Sequence, residues 1–128
     1  MIVVDTSALL SIILREPGYE RPLAALLATE AKALPASVLF EATIVLSRFE
    51  RDPRPILDAH IASLGLDVTP FDAEIARAAQ KAFLAFGKGR HPARLNFGDC
   101  QSYATAKSLS ASLLFIGNDF SQTDIPVA

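Results

Sequence analysis

Apolar residues along this chain fall into short unbroken runs, separated by stretches where they recur at helical spacing. Residues 1–4 (MIVV) read as a short strand buried on both faces. Residues 6–14 have helical content, and Pro17-Gly18 breaks them. Leu23, Leu26 and Leu27 among alanines predict a second helix over 19–31. Residues 32–36 predict a short strand, in which Pro35 suits an edge position or a strand end. Ser37 reads as the N-cap of the next helix, which runs to about residue 50 with Val38, Glu41, Ala42, Val45, Leu46 and Phe49 on one face. Asp52-Pro53 ends it and opens a helix over 54–64, closed by Gly65.

Residues 66–71 predict a third strand, after which Asp72 caps a helix through Phe86 with Ile75, Ala76, Ala79, Ala82 and Phe83 along one face. Residues 87–94 (GKGRHPAR) form a loop carrying Lys88, Arg90, His91 and Arg94. Asn96 begins a helix that ends near residue 110, residues 113–116 are a buried strand, and residues 124–128 predict a last short strand. Strands that alternate with helices imply an α/β fold with a central parallel sheet and right-handed crossovers. In such a sheet every strand ends on the same rim, so acids far apart in sequence meet there.

At 128 residues the chain fits one domain, 1–128, with neither repeats nor an internal linker. A hydrophobic content of 51% with 20% charged residues belongs to a globular chain, and no apolar run reaches the length of a membrane span. No signal peptide is expected where the first strand meets Asp5, so the cytoplasm is the expected compartment. The single cysteine, Cys100, excludes a disulfide framework and a cysteine-based zinc site. It reads as a small packing residue. A net charge of −2 gives no general attraction for nucleic acid, so an RNA substrate must be held by a local basic patch and by metal.

The candidate chemistry is carboxylate chemistry. Asp5 follows the first strand, where it either caps the next helix or faces a ligand. Glu41 lies on an apolar helix face, where a buried acid needs a basic partner, a raised pKa or a metal ion. Asp99 sits three residues after Asn96, where it also complements the helix dipole. Asp119 follows LLFIGN and is equally a turn residue; Asp124 reads as a loop acid that could join the same rim. Several carboxylates without a cysteine pair or an HExxH sequence are hard oxygen ligands suited to Mg²⁺ or Mn²⁺. Such an ion relieves their repulsion and activates water for attack on a phosphodiester. Glycosidase chemistry is the rival, but the chain has no tryptophan and two tyrosines to build a sugar cleft.

VVDTSALL, ASVLFEATIVLSR, LNFGDCQSYATAKSL and LLFIGNDFSQTDI, in this order over essentially the whole chain, resemble a PIN domain, above all the VapC-type toxin ribonucleases of bacterial toxin–antitoxin pairs. The resemblance implies a three-layer α/β/α fold with four or five short parallel strands. It also implies a Mg²⁺- or Mn²⁺-dependent endoribonuclease with acids at Asp5, Glu41, Asp99 and Asp119, aided by Asn118 or Asp124. An RNA substrate, a homodimer and a cognate VapB-type antitoxin are implied as partners.

Under this reading Asp5 and Asp99 hold the principal ion, directly or through water, while Glu41 and Asp119 complete its shell or hold a second ion, one of them orienting the attacking water. Thr6 or Ser7 bonds a ligand carboxylate or the phosphate. Lys88, Arg90 and Arg94 are the RNA-contact candidates, with Arg48, Arg51 and Arg54 a second cationic group; either set also reads as solvated surface. Phe97 and Tyr103 read as core, and His91 as a loop residue. Haloacid-dehalogenase-type phosphatases open with DxDxT, whereas Ser7 stands two after Asp5, and the early acid pair of a receiver domain is missing. The remaining rival is a PIN-fold module that binds RNA or protein without cutting.

Overall fold

The structure is a computed structural model describing residues 1–128. Four parallel strands, β1 (Ile2–Val4), β2 (Lys32–Pro35), β3 (Asp67–Thr69) and β4 (Ser112–Leu114), form one sheet in the order β3-β2-β1-β4. Six helices surround it: α1 (Thr6–Ile13), α2 (Glu20–Leu27), α3 (Ala36–Leu46), α4 (Arg54–Leu64), α5 (Ala73–Phe86) and α6 (Phe97–Ser108).

Strand alternation divides the core into two layers. Ile2 and Val4 pack with Leu9, Leu26, Leu34, Val38 and Leu57, from α1 to α4 and β2. Val3 points the other way, to Leu113, Phe115, Ala82, Tyr103 and Ala106 beside α5 and α6. The fold is therefore the three-layer α/β/α arrangement expected. Val3, Val4, Leu113 and Leu114 are fully buried, and each such side chain contributes about 1.5–3 kcal/mol.

The topology also places the site. From β1 the chain builds outward through β2 to β3, then crosses to the other side of β1 for β4. The strand order reverses between β1 and β4, which opens a crevice at their carboxyl ends.

Several local expectations are corrected. Pro35 lies at a strand end, but β2 is an interior strand paired on both sides. Ser37 does not cap α3: the strand runs straight into the helix through Pro35, and the Ser37 hydroxyl is buried inside the first turn without a partner. Phe49 lies beyond the end of α3 and is exposed. α2 stops at Leu27, where the chain must turn back towards β2. β3 covers three residues because it is a partly exposed edge strand. The C-terminal tail contributes one bridge, Val127 beside Leu113, rather than a strand.

Candidate active site

Asp5 stands at the mouth of the crevice. Its amide donates to the Leu114 carbonyl of β4 at 2.9 Å, continuing the β1–β4 register past the end of the strand. Its side chain, in a residue only 6% exposed, receives three donors. The Ser7 amide (3.1 Å) and Ser7 hydroxyl (2.7 Å) reach Oδ2, and the Ser102 hydroxyl reaches Oδ1 at 2.6 Å. Asp5 therefore caps α1, and the donors that start the helix also satisfy a buried acid. Ser7 Oγ in turn accepts the Ile116 amide at 3.0 Å, tying Asp5 to the segment that leaves β4. The buried Thr6 hydroxyl has no protein partner.

α6 brings the second acid. Asn96 Oδ1 accepts the Asp99 amide (2.9 Å) and Asp99 Oδ2 accepts the Asn96 amide (3.0 Å), a reciprocal capping box that fixes Asp99 in the first turn. Burial raises the Asp99 carboxyl to about 6, against the lowering effect of the Asn96 amide. The charges of Asp5, Asp119 and Glu41 contribute to the same rise, each less than burial does. Asp5, Asp119 and Glu41 are therefore each within electrostatic reach of Asp99. Glu41 approaches from α3, half-buried and outside either ion pair of the structure, its Oε2 set against the backbone of Gly98. Asp119 is exposed in the turn after β4, which Gly117 makes at φ +96°.

Other candidates are placed elsewhere. Asp124 accepts the Tyr103 hydroxyl and the Lys107 ammonium, which together hold its carboxyl below the usual range. It clips the C-terminal tail to α6 and is not among the charges that act on Asp99. The Asn118 carbonyl accepts Ser121, holding the turn that carries Asp119. Cys100 and Tyr103 are buried as expected. Phe97 is not core: it is 85% exposed at the start of α6. With Phe40, Ile44 and Phe71 it lines an apolar groove of about 500 Å³ that runs up to Glu41 and Gly98.

Sequence reading missed Ser102 and Gly98. A serine inside a helix carries no signal of its own, but Ser102 stands three residues after Asp99, on the same helical face. Replacing Ser102 with alanine removes one of three donors to Asp5. Mn²⁺ affinity measured by calorimetry is expected to fall about 10–100-fold while the fold is kept. Unchanged affinity would remove Ser102 from the site.

Four carboxylates with serine hydroxyls make a hard oxygen donor set, and the thiol beside them, Cys100, is buried among core side chains. No three acidic, histidine or cysteine side chains converge into a tight ligand group. The oxygen donors are of the type Mg²⁺ or Mn²⁺ takes, and Mg²⁺ keeps several waters and takes only one or two protein carboxylates directly. Asp5 and Asp99 are the residues that would hold it, with Glu41 and Asp119 alongside.

Comparison with known proteins agrees with the geometry. Residues 2–126 match the PIN domain. Ribonuclease VapC36 of Mycobacterium tuberculosis is 44% identical over 126 residues, covering 97% of this chain and 91% of that protein. Ribonuclease VapC of Mycolicibacterium smegmatis is 38% identical over 125 residues, covering 97% of each. Among solved structures, VapBC2 of Rickettsia felis, bound to a promoter DNA fragment, superposes with a TM-score of 0.77 at 17% identity, over 99% of this chain and 96% of that one. VapC20 of Mycobacterium tuberculosis, described as a sarcin–ricin loop cleaving toxin, gives 0.76 at 20% identity, over 100% and 98%. By sequence and by fold, this chain belongs to the PIN domain family and, within it, to the VapC ribonucleases.

Proposed function

We propose that this chain is the toxin of a toxin–antitoxin pair, a cytoplasmic single-domain endoribonuclease that hydrolyses RNA phosphodiester bonds with Mg²⁺ or Mn²⁺ at the Asp5–Asp99 rim. The observation that carries this reading is the electrostatic meeting of Asp5, Glu41, Asp99 and Asp119 in a crevice where the sheet order reverses. A divalent ion bound there supplies Lewis-acid polarisation of the phosphoryl oxygen and a more acidic water.

The chain's own residues do the rest. Ser7 and Ser102 fix both oxygens of Asp5, so its lone pairs point in a set direction before substrate arrives. Asp99, held by its capping box, ionises near pH 6 and is charged under neutral conditions. Glu41 and Asp119 flank the pair as acceptors for the proton of the attacking water. The exposed apolar side chains Phe40, Ile44, Phe71 and Phe97 give surface for the protein contacts of this class, a second copy of the chain and a VapB-type antitoxin.

The test is incubation of antitoxin-free protein with total cellular RNA in Mg²⁺ or Mn²⁺, beside the same reaction in EDTA. Discrete fragments are expected with metal and none above background with EDTA. A folded protein that binds metal and cuts no RNA is instead the non-cleaving module, and cleavage that persists in EDTA removes the metal from the mechanism.

A further inference from the structure

We infer that the α5–α6 loop is a preformed phosphate site that grips the RNA backbone a few nucleotides from the reacting bond; this rests on the nuclease reading above. The loop carries a shallow, open depression of about 480 Å³ lined wholly by Lys88, Gly89, Arg90, His91, Pro92 and Arg94. The acidic crevice and the apolar groove supply no residue to it.

The loop is built, not slack. The Lys88 amide donates to the Leu95 carbonyl and the Leu95 amide to the Phe86 carbonyl, both at 3.0 Å, so Gly87 and Leu95 bridge and close the loop at its base. The Arg90 and His91 amides donate to the Gly87 carbonyl, and the Arg94 amide to that of His91. Ala93 and Leu95 anchor the loop in the core. The His91 ring stands edge-on to Phe86 at 5.1 Å and its Nδ1 accepts the Ala93 amide at 3.0 Å. The neutral ring therefore carries its proton on Nε2, an additional donor. Arg94 holds φ +54°, a left-handed conformation uncommon for a residue with a side chain.

Charge and place identify the ligand. The ion pairs of the structure are Arg54–Asp52 and Lys107–Asp124, so Lys88, Arg90 and Arg94 have no carboxylate partner. Three cations without a carboxylate partner, Arg90 among them lying over the Phe83 ring at 5.9 Å, are on a chain of net charge −2 a local exception that suits a polyanion. The guanidinium, ammonium and N–H groups that line the depression match phosphate oxygens. Leu95 leads directly into the Asn96 cap, and Arg94 precedes Asp99 by five residues, so their backbones lie within about 17 Å of each other. One RNA strand can reach both.

The experiment uses the full chain carrying Asp5→Asn, so that RNA is bound but not cut. A labelled single-stranded RNA oligonucleotide is titrated by fluorescence anisotropy from 50 to 200 mM salt, with and without Lys88→Ala/Arg90→Ala/Arg94→Ala. Losing three contacts is expected to weaken binding roughly 10–100-fold and to make the slope of log K against log salt shallower by about 2. Arg90→Lys/Arg94→Lys keeps the charge and is expected to keep the slope. Lys88→Glu, at an exposed position that leaves the backbone alone, is expected to weaken binding even if the triple variant fails to fold. Parental affinity and slope in a variant that melts like the parent overturn the loop site. So does weakened binding with an unchanged slope, which is a packing effect. Failure of the parent to bind or cut any RNA overturns the nuclease reading itself.

Discussion

Asp99→Asn is expected to cut RNA about 10³-fold more slowly than the parent and yet to melt higher in metal-free buffer at neutral pH. The first effect follows because an amide cannot supply the negative charge that holds a divalent ion, and Lewis-acid assistance is worth several kcal/mol. The second follows from the raised Asp99 carboxyl. Its folded pKa of about 6 lies above the unfolded value near 3.9, so between those pH values the folded state keeps a proton that the unfolded state releases. The contribution of this group is therefore most favourable below about pH 4 and is lost as pH rises through 6. Asparagine carries no such charge and retains an oxygen for the Asn96 amide. After allowance for solvent screening the gain is on the order of 1–2 kcal/mol, or about 3–10 °C in Tm, present at pH 7.5 and absent at pH 4. Mn²⁺ affinity of the parent should likewise drop as pH falls below 6.

Asp5→Asn is expected to be equally inactive but less stable, because it exchanges charge-assisted hydrogen bonds for neutral ones and, with its nitrogen towards Ser102, obliges that hydroxyl to turn from donor to acceptor. The contrast separates two acids that sequence position alone makes alike. An Asp99→Asn protein retaining more than about a tenth of parental cleavage, with EDTA-sensitive activity, would take Asp99 out of the ion site.

The rim was legible because a parallel α/β sheet converts order along the chain into position. MIVV and LLF are recognisable as buried strands, and an acid just past such a strand has one place to go. Ser102 was not legible: a donor that reaches Asp5 across 97 residues of sequence has no local pattern. Phe97 was misread because an apolar residue usually signals core, whereas the first residue of α6 projects over the groove beside Phe40. Ser37 was misread because capping chemistry describes a loop-to-helix entry, and here a strand feeds the helix through Pro35. Each miss concerns what a residue meets across the fold rather than what its neighbours in sequence favour.

Gly98 shows the same conflict between helix and site as Asp99, one residue earlier. By propensity it is the wrong residue for the first turn of α6, and alanine is expected to add about 0.5–1 kcal/mol there. A Cβ on Gly98, however, falls 2.5 Å from Glu41 Oε2 and 3.2 Å from its carboxyl carbon. Those atoms end a flexible side chain, so Glu41 swings aside and the backbone keeps its path. Gly98→Ala is thus expected to fold at least as stably as the parent and to lose about 10²-fold in cleavage, the cost of displacing a catalytic group by about 1 Å. The loss should vanish when Glu41 is already alanine, since there is then no carboxylate to move; thermal melts and cleavage rates of the four proteins of that cycle measure it. An equal loss in the Glu41→Ala background would mean that Gly98 acts on α6 itself. Coupling confined to Glu41 would mean that the first turn of α6 is set by the space the acids need, with Gly98 making room for one carboxylate and Asn96 fixing the next.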